Sequence, residues 1–289
     1  MGTGLLKFAL IGFGEAGSIF GEDLVAAGHE VAMYDVLLFD DKARRLGVRA
    51  ASSFADAVVG ADVVISAVTA SSSSDVAAQA AHVLRAGQVL LDINSVSPAK
   101  KLANAALVEA AGADYVEAAV MAPVPPQRLR VPMLLGGKRA AAVAQSLRDV
   151  GMNATALSDK IGVASAVKMC RSIVIKGLEA LTLESMLAAR RFGAEREVLE
   201  SLNGTFPGMG WTGKLPDYLI SRVAEHGVRR AAEMREVALT LSDVGVEPVM
   251  AAATAERQAW LVSEMAAHGL QYTEPFAWRA VADGIKKQE

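Results

Sequence analysis

Short apolar runs alternate with amphipathic stretches through the first half of the chain. Helical spacing covers residues 15–27, 74–84 and 99–111, and Ser97 and Pro98 supply an N-cap and a first helical residue for the third stretch. This alternation is typical of a parallel sheet with helices on its faces. The predicted strands are residues 8–11, 30–34, 62–68, 89–93, 115–120 and 131–135.

The second half of the chain shows helical spacing only. Its first predicted helix, residues 162–191, is long enough to join two domains, and Gly193 is a typical stop signal. The sequence therefore predicts an α/β domain over residues 1–160 and an all-α domain over residues 161–289, joined by a long interdomain helix. The further predicted helices are residues 195–202, 217–226, 228–244 and 248–267.

A glycine-rich turn follows the first predicted strand in the segment KFALIGFGEAG. Its G-x-G-x-x-G spacing provides a tight turn, a close backbone approach to a pyrophosphate, and a helix lying near the sheet with free N–H groups at its start. We therefore predict a Rossmann dinucleotide-binding domain, the alternative being a glycine-rich turn of another α/β protein. The cofactor-binding residues predicted here are Gly12, Phe13, Gly14, Glu15, Ala16 and Gly17.

Asp35 stands at the carboxyl end of the second predicted strand, 23 residues after Gly12. A carboxylate at this place accepts hydrogen bonds from the adenosine ribose and repels a 2′-phosphate, so NAD is the predicted cofactor. Lys42, Arg44 and Arg45 follow closely and offer a phosphate clamp, which keeps NADP possible. A helix with solvated charges is the alternative interpretation of these residues.

Ligands of such sheets bind beyond the carboxyl ends of the strands. This rule selects three loops, residues 68–72, 94–97 and 121–127. Val68, Thr69, Asn94 and Ser95 are the cofactor-binding residues that we predict in the first two loops.

Composition narrows the possible functions. The 289 residues are 52% hydrophobic and 21% charged, which suits two ordinary globular domains. A formal charge of −3 without a long basic run argues against nucleic-acid binding. The single Cys170 excludes an internal disulfide, and the four scattered histidines predict no metal site. We expect a cytoplasmic protein, because neither a signal peptide nor an apolar membrane segment is recognisable.

Two further motifs accompany the glycine turn, D-I-N-S-V-S-P from Asp92 to Pro98 and G-V-A-S-A-V-K from Gly162 to Lys168. In this order the three motifs resemble the β-hydroxyacid dehydrogenase superfamily, which includes 3-hydroxyisobutyrate, tartronate semialdehyde and 6-phosphogluconate dehydrogenases. The first of the two is similar to that family's D-x-S-[ST]-x-x-P loop near the nicotinamide, and the second to its G-x-x-x-x-x-K at the interdomain helix. A weaker similarity begins at Arg235, and the resemblance covers nearly the whole chain.

The resemblance implies that Lys168 is the general acid/base. Oxidation of an alcohol requires removal of a proton as the hydride leaves, and lysine performs this once partial burial lowers its pKa from about 10.4. An exposed lysine on a helix face is the alternative.

Two departures from the family pattern concern substrate recognition. Where the family carries Asn four residues after the lysine, this chain has Ser172, and its Ser-Gly-Gly substrate loop is replaced by Met121, Ala122 and Pro123. The prolines of this loop remove backbone donors and stiffen it. The predicted substrate-binding residues are Ser95, Met121, Ala122, Pro123, Arg171 and Ser172.

The segment from Lys168 to Leu181 resembles a bacterial subgroup of phosphogluconate-dehydrogenase-like oxidoreductases with the pattern K-M-x-R-S-x-x-x-K-G-L-E-A-L. Arg171 is the residue best placed to meet an acidic substrate, since it lies near the helical face of Lys168. A surface ion pair is the alternative for Arg171, and both interpretations stay open for Lys176. Ser172 either binds a substrate hydroxyl or bonds back to the Lys168 carbonyl.

These patterns predict an NAD(P)-dependent dehydrogenase or reductase that acts on a small hydroxy acid or its carbonyl partner. Imine reduction on the same scaffold and a dinucleotide sensor without turnover are the alternatives. The resemblance also implies a homodimer that pairs through the helical domain. Met209, Trp211, Trp260 and Trp278 are more typical of core than of a pocket lining.

Overall fold

The computed structural model describes residues 6–37 and 39–285. The first part of the chain forms one eight-stranded sheet with the order β3-β2-β1-β4-β5-β6-β7-β8. Every neighbouring pair is parallel except β6 and β7, which run antiparallel. The strands are β1 (Lys7–Ile11), β2 (Glu30–Tyr34), β3 (Arg49–Ala50), β4 (Val63–Ser66), β5 (Val89–Asp92), β6 (Asp114–Val120), β7 (Met133–Gly136) and β8 (Ala154–Ser158).

Within the described residues, seven α-helices connect these strands and five more follow them. The first group consists of α1 (Glu15–Ala26), α2 (Asp40–Arg45), α3 (Phe54–Val58), α4 (Ser73–Val83), α5 (Pro98–Ala110), α6 (Val124–Gln127) and α7 (Ala140–Asp149). The second group consists of α8 (Val163–Phe192), α9 (Glu195–Thr205), α10 (Leu215–Ser242), α11 (Val249–Ala267) and α12 (Trp278–Gly284).

Both faces of the sheet are covered, which explains the continuous apolar runs of the sequence. Phe8 and Leu10 of β1 pack into one core cluster, whereas Ala9 and Ile11 pack into a second cluster. Because alternate residues of one strand enter two apolar cores, no polar residue interrupts the run. The predicted α/β fold with a helical second part is confirmed.

The predicted division of the second half is wrong at one point. The two helices predicted over residues 217–226 and 228–244 form the single helix α10, which continues through Gly227 and ends at Ser242. A Cβ at Gly227 would lie 2.7 Å from the Gln258 carbonyl oxygen, so glycine permits close packing of α10 against α11. This glycine therefore serves packing and does not end a helix. Six further elements were not predicted from the sequence: β3, β8, α3, α6, α7 and α12.

The contacts divide the chain into two compact units, with the boundary between Lys168 and Met169. Helix α8 runs across this boundary, so the boundary lies eight residues after the predicted one (168 − 160 = 8). In the helical unit, Trp211 is 4% and Trp278 2% exposed, and both belong to its core. Among the described residues, no helix is long and apolar enough to span a bilayer.

Candidate functional site

The glycine turn between β1 and α1 is closely packed at two positions and open at the third. A Cβ at Gly12 would lie 2.4 Å from the Ala67 carbonyl oxygen, and one at Gly17 would lie 2.1 Å from the Gly12 carbonyl oxygen. Gly12 also has a φ of +96°, which favours glycine. At Gly14, by contrast, no atom of the described residues lies within 4 Å of an added Cβ.

This open position adjoins the start of α1. Gly14 is its N-cap residue, and in the described part of the chain no side chain caps the helix there. The first N–H groups of a helix lack intrahelical partners and attract anions. The turn therefore fits a dinucleotide pyrophosphate. Of the other predicted residues, Phe13 has a fully buried side chain, Ala16 is half-buried, and Glu15 is exposed.

Asp35 lies just beyond β2 and is held by the backbone on both sides. Its Oδ2 accepts the Phe13 N–H at 2.6 Å, and its Oδ1 accepts the Leu37 N–H at 2.8 Å. These bonds fix the half-buried carboxylate beside the glycine turn. Each oxygen keeps further acceptor capacity, so the ribose hydroxyls of an adenosine suit this position.

Two basic residues of α2, Lys42 and Arg44, make local contacts. The Lys42 ammonium lies 5.8 Å from the Phe13 ring centroid and 5.6 Å from that of Phe39. The Arg44 guanidinium pairs with Asp41 in the same helix. Acidic residues in its first turn and basic residues in its last turn match the dipole of α2. Lys42 and Arg44 thus lie in a short helix and contact its own residues and Phe13.

Two of the loops at the carboxyl ends of the strands are joined through Asn94. Its Oδ1 accepts the Val68 N–H at 2.7 Å, and its Nδ2 donates to Ser66 Oγ at 2.8 Å. Asn94 is buried, Ser95 is half-buried, and Thr69 is exposed with its hydroxyl near Ser71 and Ser72. The hydrogen bond between Val68 and Asn94 therefore brings together the loops that follow β4 and β5.

A buried ion pair supports these loops and was missed by the sequence analysis. The Lys101 ammonium of α5 is 2.8 Å from Asp92 Oδ1, and the two side chains are 1% and 3% exposed. The Tyr115 hydroxyl donates to Asp92 Oδ2 at 2.6 Å. Burial raises the pKa of Tyr115 well above its usual value, with the Asp92 charge acting in the same direction. In the sequence, Lys101 stands out only because it lies three residues after Pro98, on a helix face that carries mostly apolar residues.

The predicted substrate loop follows β6. Met121 and Ala122 are half-buried and Pro123 is exposed, and the Met121 N–H donates to the Pro132 carbonyl at 2.9 Å. A 3-10 turn, Arg128–Arg130, ends the loop, and Arg128 has a φ of +50°. Its guanidinium binds Asp23 Oδ1 of α1 at 2.6 Å, which fastens the loop to the helix of the glycine turn.

Helix α8, which carries Lys168, is capped by a buried glutamate. Oε1 of Glu117, a residue of β6 with 0% exposure, accepts the N–H groups of Gly162 at 2.7 Å and Ala164 at 3.0 Å. Oε2 accepts the Ser165 N–H at 3.3 Å. Lys168 is half-buried in the second turn of this helix. The first turn of α8 is thus fixed to the sheet.

Arg171 and Ser172 lie on the next turn of α8. Arg171 is exposed and Ser172 is half-buried. Both follow Lys168 at i+3 and i+4, the spacing that places residues on one helical face. The ammonium of Lys176 is buried and pairs with Glu233, so this lysine forms an ion pair, although not the surface pair considered in the sequence analysis.

The helical unit contains a second buried charge pair beside Lys176. Arg230 binds both carboxylate oxygens of Glu179 at 2.8 Å, and Gln258 Nε2 lies 3.3 Å from Glu179 Oε2. Burial raises the pKa of Glu179 to about 7 against the opposing effect of Arg230, and burial lowers the pKa of Lys176.

Comparison with known proteins assigns the family. Residues 7–156 match the family described as the NAD binding domain of 6-phosphogluconate dehydrogenase, and residues 189–261 match a domain of unknown function, DUF1932. The chain belongs to the β-hydroxyacid dehydrogenase superfamily. This superfamily contains NAD(P)-dependent hydroxyacid dehydrogenases, in agreement with the resemblance found in the sequence.

Two curated proteins are similar to this chain over about 70% of its length. An uncharacterized 28.5 kDa protein of Methanothermus fervidus is 30% identical over 211 residues, which are 72% of this chain and 79% of that protein. Human mitochondrial 3-hydroxyisobutyrate dehydrogenase is 26% identical over 212 residues, which are 70% of this chain and 62% of that enzyme.

Solved structures of the superfamily show the same fold. A conserved hypothetical protein from Sinorhizobium meliloti is 37% identical with a TM-score of 0.80, over 98% of this chain and 96% of that chain. The 3-hydroxyisobutyrate dehydrogenase of Mycobacterium tuberculosis is 17% identical with a TM-score of 0.76, over 98% and 100% of the chains. An imine reductase of Streptomyces aurantiacus is 21% identical with a TM-score of 0.59, over 97% of this chain and 100% of that chain.

Proposed function

We propose that this protein is an NAD(P)-dependent oxidoreductase acting on the CH–OH group of a small hydroxy acid or on the corresponding aldehyde or ketone. The observation that carries the proposal is the placement of Lys168 on a helix that Glu117 anchors to β6, in the same compact unit as the glycine turn. A dinucleotide turn and a fixed proton donor or acceptor are the two parts that this chemistry requires.

Lys168 is the proposed acid/base. In the oxidative direction its neutral amine removes the proton of the substrate hydroxyl, and in the reductive direction its ammonium returns a proton to the carbonyl oxygen. The bound nicotinamide accepts or supplies the hydride. The glycine turn, with Val68, Thr69, Asn94 and Ser95, would hold this cofactor.

NAD is the proposed cofactor. The Asp35 carboxylate is fixed by the N–H groups of Phe13 and Leu37 and therefore stays an acceptor for ribose hydroxyls. A 2′-phosphate would meet its negative charge, while Lys42 and Arg44 are engaged in contacts of their own. Both features disfavour NADP.

The substrate is proposed to be acidic. Arg171 is an exposed cation one turn beyond Lys168, and Ser172 offers a hydroxyl on the same helical face. Ser95 and the Met121, Ala122 and Pro123 segment, at the carboxyl ends of the strands, are the other proposed substrate-binding residues. Arg171 would bind a carboxylate or phosphate oxygen by charge-assisted hydrogen bonds.

Calorimetry with NAD and NADP, followed by a panel of hydroxy acids and their carbonyl partners monitored by NADH absorbance, tests the proposal. Binding of NAD with turnover of at least one hydroxy acid is the expected result. Binding without turnover of hydroxy acids or imines would support a dinucleotide sensor instead. Turnover restricted to imines would support imine reduction, for which the fold of the Streptomyces aurantiacus enzyme is the structural precedent.

We also propose that two copies pair through the helical unit. Val174 and Leu181 lie seven residues apart on α8 and are 70% and 57% exposed, and Val228 of α10 is 69% exposed. Apolar side chains at heptad spacing form one stripe along a helix and bury it well against a second helix. The assembly expected from this stripe is a homodimer.

A further inference from the structure

Lys101 is a charged residue placed where the fold requires none. Its ammonium lies inside the first unit, 2.8 Å from Asp92 Oδ1 and 2.8 Å from the Asp92 carbonyl oxygen. Removing two charges from water costs about as much as their attraction returns, so an apolar pair of similar volume would serve stability as well. An ion pair differs from apolar packing in that its hydrogen bonds fix the orientation of the groups that form it.

The Asp92 carboxylate uses both of its oxygens. Oδ1 accepts the Lys101 ammonium and the Asn94 N–H, the latter at 2.9 Å. Oδ2 accepts the Tyr115 hydroxyl at 2.6 Å and lies 3.5 Å from the Ser73 hydroxyl. With donors on both oxygens, the carboxylate has one orientation, and so has the Asn94 backbone that follows it.

The side chain of Asn94 connects β5 to the neighbouring strand β4. Its Nδ2 donates to the hydroxyls of Ser66 at 2.8 Å and Ser73 at 3.4 Å, and its Oδ1 accepts the Val68 N–H. The side chain thereby joins the end of β4, the end of β5 and the first residue of α4. Besides its proposed place among the cofactor-binding residues, Asn94 holds the loops that follow β4 and β5 in position.

The glycine turn rests on the same loop. A Cβ at Gly12 would lie 2.4 Å from the Ala67 carbonyl oxygen and 2.9 Å from Val68 Cγ1, so the turn and the loop pack in direct contact. A displacement of Val68 is therefore transmitted to Gly12. Hydrogen bonds and packing thus connect Lys101 with the glycine turn in one unbroken series.

We propose that Lys101 and Asp92 are positioning residues that set the affinity for the nicotinamide dinucleotide by fixing, through Asn94, the loops at the ends of β4 and β5. This inference rests on the proposed function, because it assigns these loops to the cofactor. The pair touches no cofactor atom and acts only through Asn94 and Val68.

The test is a fluorescence titration of the full-length protein with NADH, paired with thermal unfolding of each variant. Lys101→Met should weaken NADH binding about tenfold or more, since it leaves Asp92 with an uncompensated charge and frees Asn94. Tyr115→Phe removes one hydroxyl only and should weaken binding in the same direction while the protein stays folded. The double variant Lys101→Met, Asp92→Asn carries no buried charge and should fold, yet still bind NADH more weakly than wild type.

Gln88→Leu is the matched control. Gln88 precedes β5 at the opposite end of the same strand, and its Nε2 donates to the carbonyls of Val58 at 2.9 Å and Ala61 at 2.8 Å. Its loss should lower the melting temperature without changing the NADH Kd. Unchanged NADH binding by Tyr115→Phe and by the double variant would overturn this inference but not the proposed function. If wild type bound neither NADH nor NADPH, the proposed function would fail and the inference with it.

Discussion

Glu117 accepts the Gly162 N–H at 2.7 Å and so fastens β6 to the first turn of the helix that carries Lys168. The neighbouring strand is adapted to this contact, because a Cβ at Gly136 would lie 2.5 Å from Glu117 Oε1. A carboxylate is favourable beside the positive end of a helix dipole. One buried side chain thus sets the position of α8 on the sheet.

Replacement of Glu117 should affect both stability and catalysis. Glu117→Ala leaves three buried N–H groups without their acceptor and should lower the free energy of unfolding by about 2 to 4 kcal/mol. In the fraction that stays folded, kcat should fall while the Kd for NADH stays unchanged, because α8 moves and the glycine turn does not. Glu109→Ala is the control, since Glu109 makes a half-exposed pair with Lys138. Equal kcat in wild type and Glu117→Ala would refute the positioning of Lys168 by Glu117.

Replacement of Asp35 should shift cofactor preference toward NADP. Asp35→Ala removes the charge that opposes a 2′-phosphate and also the acceptor of the Phe13 N–H, so NAD binding should weaken more than NADP binding. The ratio of the two Kd values from calorimetry checks this. Asp62→Ala is a matched control, because Asp62 accepts the Lys7 N–H at 2.9 Å at the opposite end of the sheet. An unchanged ratio in Asp35→Ala would contradict the cofactor assignment.

The buried Glu179 should give the helical unit a characteristic pH dependence. Burial raises its pKa to about 7 in the folded protein, from 4.5 for an ordinary glutamate. The folded state therefore binds the proton more tightly than the unfolded state. Tighter proton binding by Glu179 contributes about 1 to 3 kcal/mol to the free energy of unfolding below pH 4.5. This contribution is lost as the pH rises to about 7.

Urea unfolding at several pH values between 4.5 and 8 measures this effect. As the pH rises over that interval, the free energy of unfolding of wild type should fall relative to that of Glu179→Gln, since glutamine does not titrate. A pH-independent difference between the two proteins would show that Glu179 has an ordinary pKa. Glu184→Gln is a suitable control, because Glu184 lies on the same helix with a side chain 63% exposed.

Charged residues on the apolar stripe of α8 should separate the proposed dimer. Leu181→Glu and Val174→Glu place carboxylates at positions that are exposed in a single chain, so folding should be unaffected. In an apolar interface the same carboxylates would be desolvated and repelled by their symmetry mates. Light scattering after gel filtration should show a monomer for the variants and a dimer for wild type. A wild-type monomer would contradict the proposed assembly.

The fold was predictable because its signals are local. The apolar run before Gly12, the glycine spacing and Asp35 identify the dinucleotide turn, and Ser97 with Pro98 marks the start of α5. Gly227 misled the prediction, since the same residue type that ends many helices here lets two helices approach. Sequence spacing alone does not distinguish these two uses of glycine.

The supporting contacts of the site were not predictable in the same way. Glu117 and Gly162 are 45 residues apart, and Tyr115 and Asp92 are 23 apart, so each pair forms only when the strands are aligned. Glu117 reads in the sequence as a polar interruption of an apolar strand, a pattern that also suits an exposed edge. The resemblance supplied Lys168, but only the three-dimensional structure shows that Glu117 holds the first turn of its helix.

The role of Lys168 is the central claim, and kcat of Lys168→Met on the hydroxy acid that wild type oxidises fastest tests it most directly. Methionine retains the length and apolar stem of lysine but neither donates nor accepts the proton. We predict a loss of about 10² to 10⁴ in kcat with NADH affinity unchanged, whereas Lys160→Met, at an exposed position before α8, should keep wild-type kcat. Wild-type kcat in Lys168→Met would contradict the mechanism.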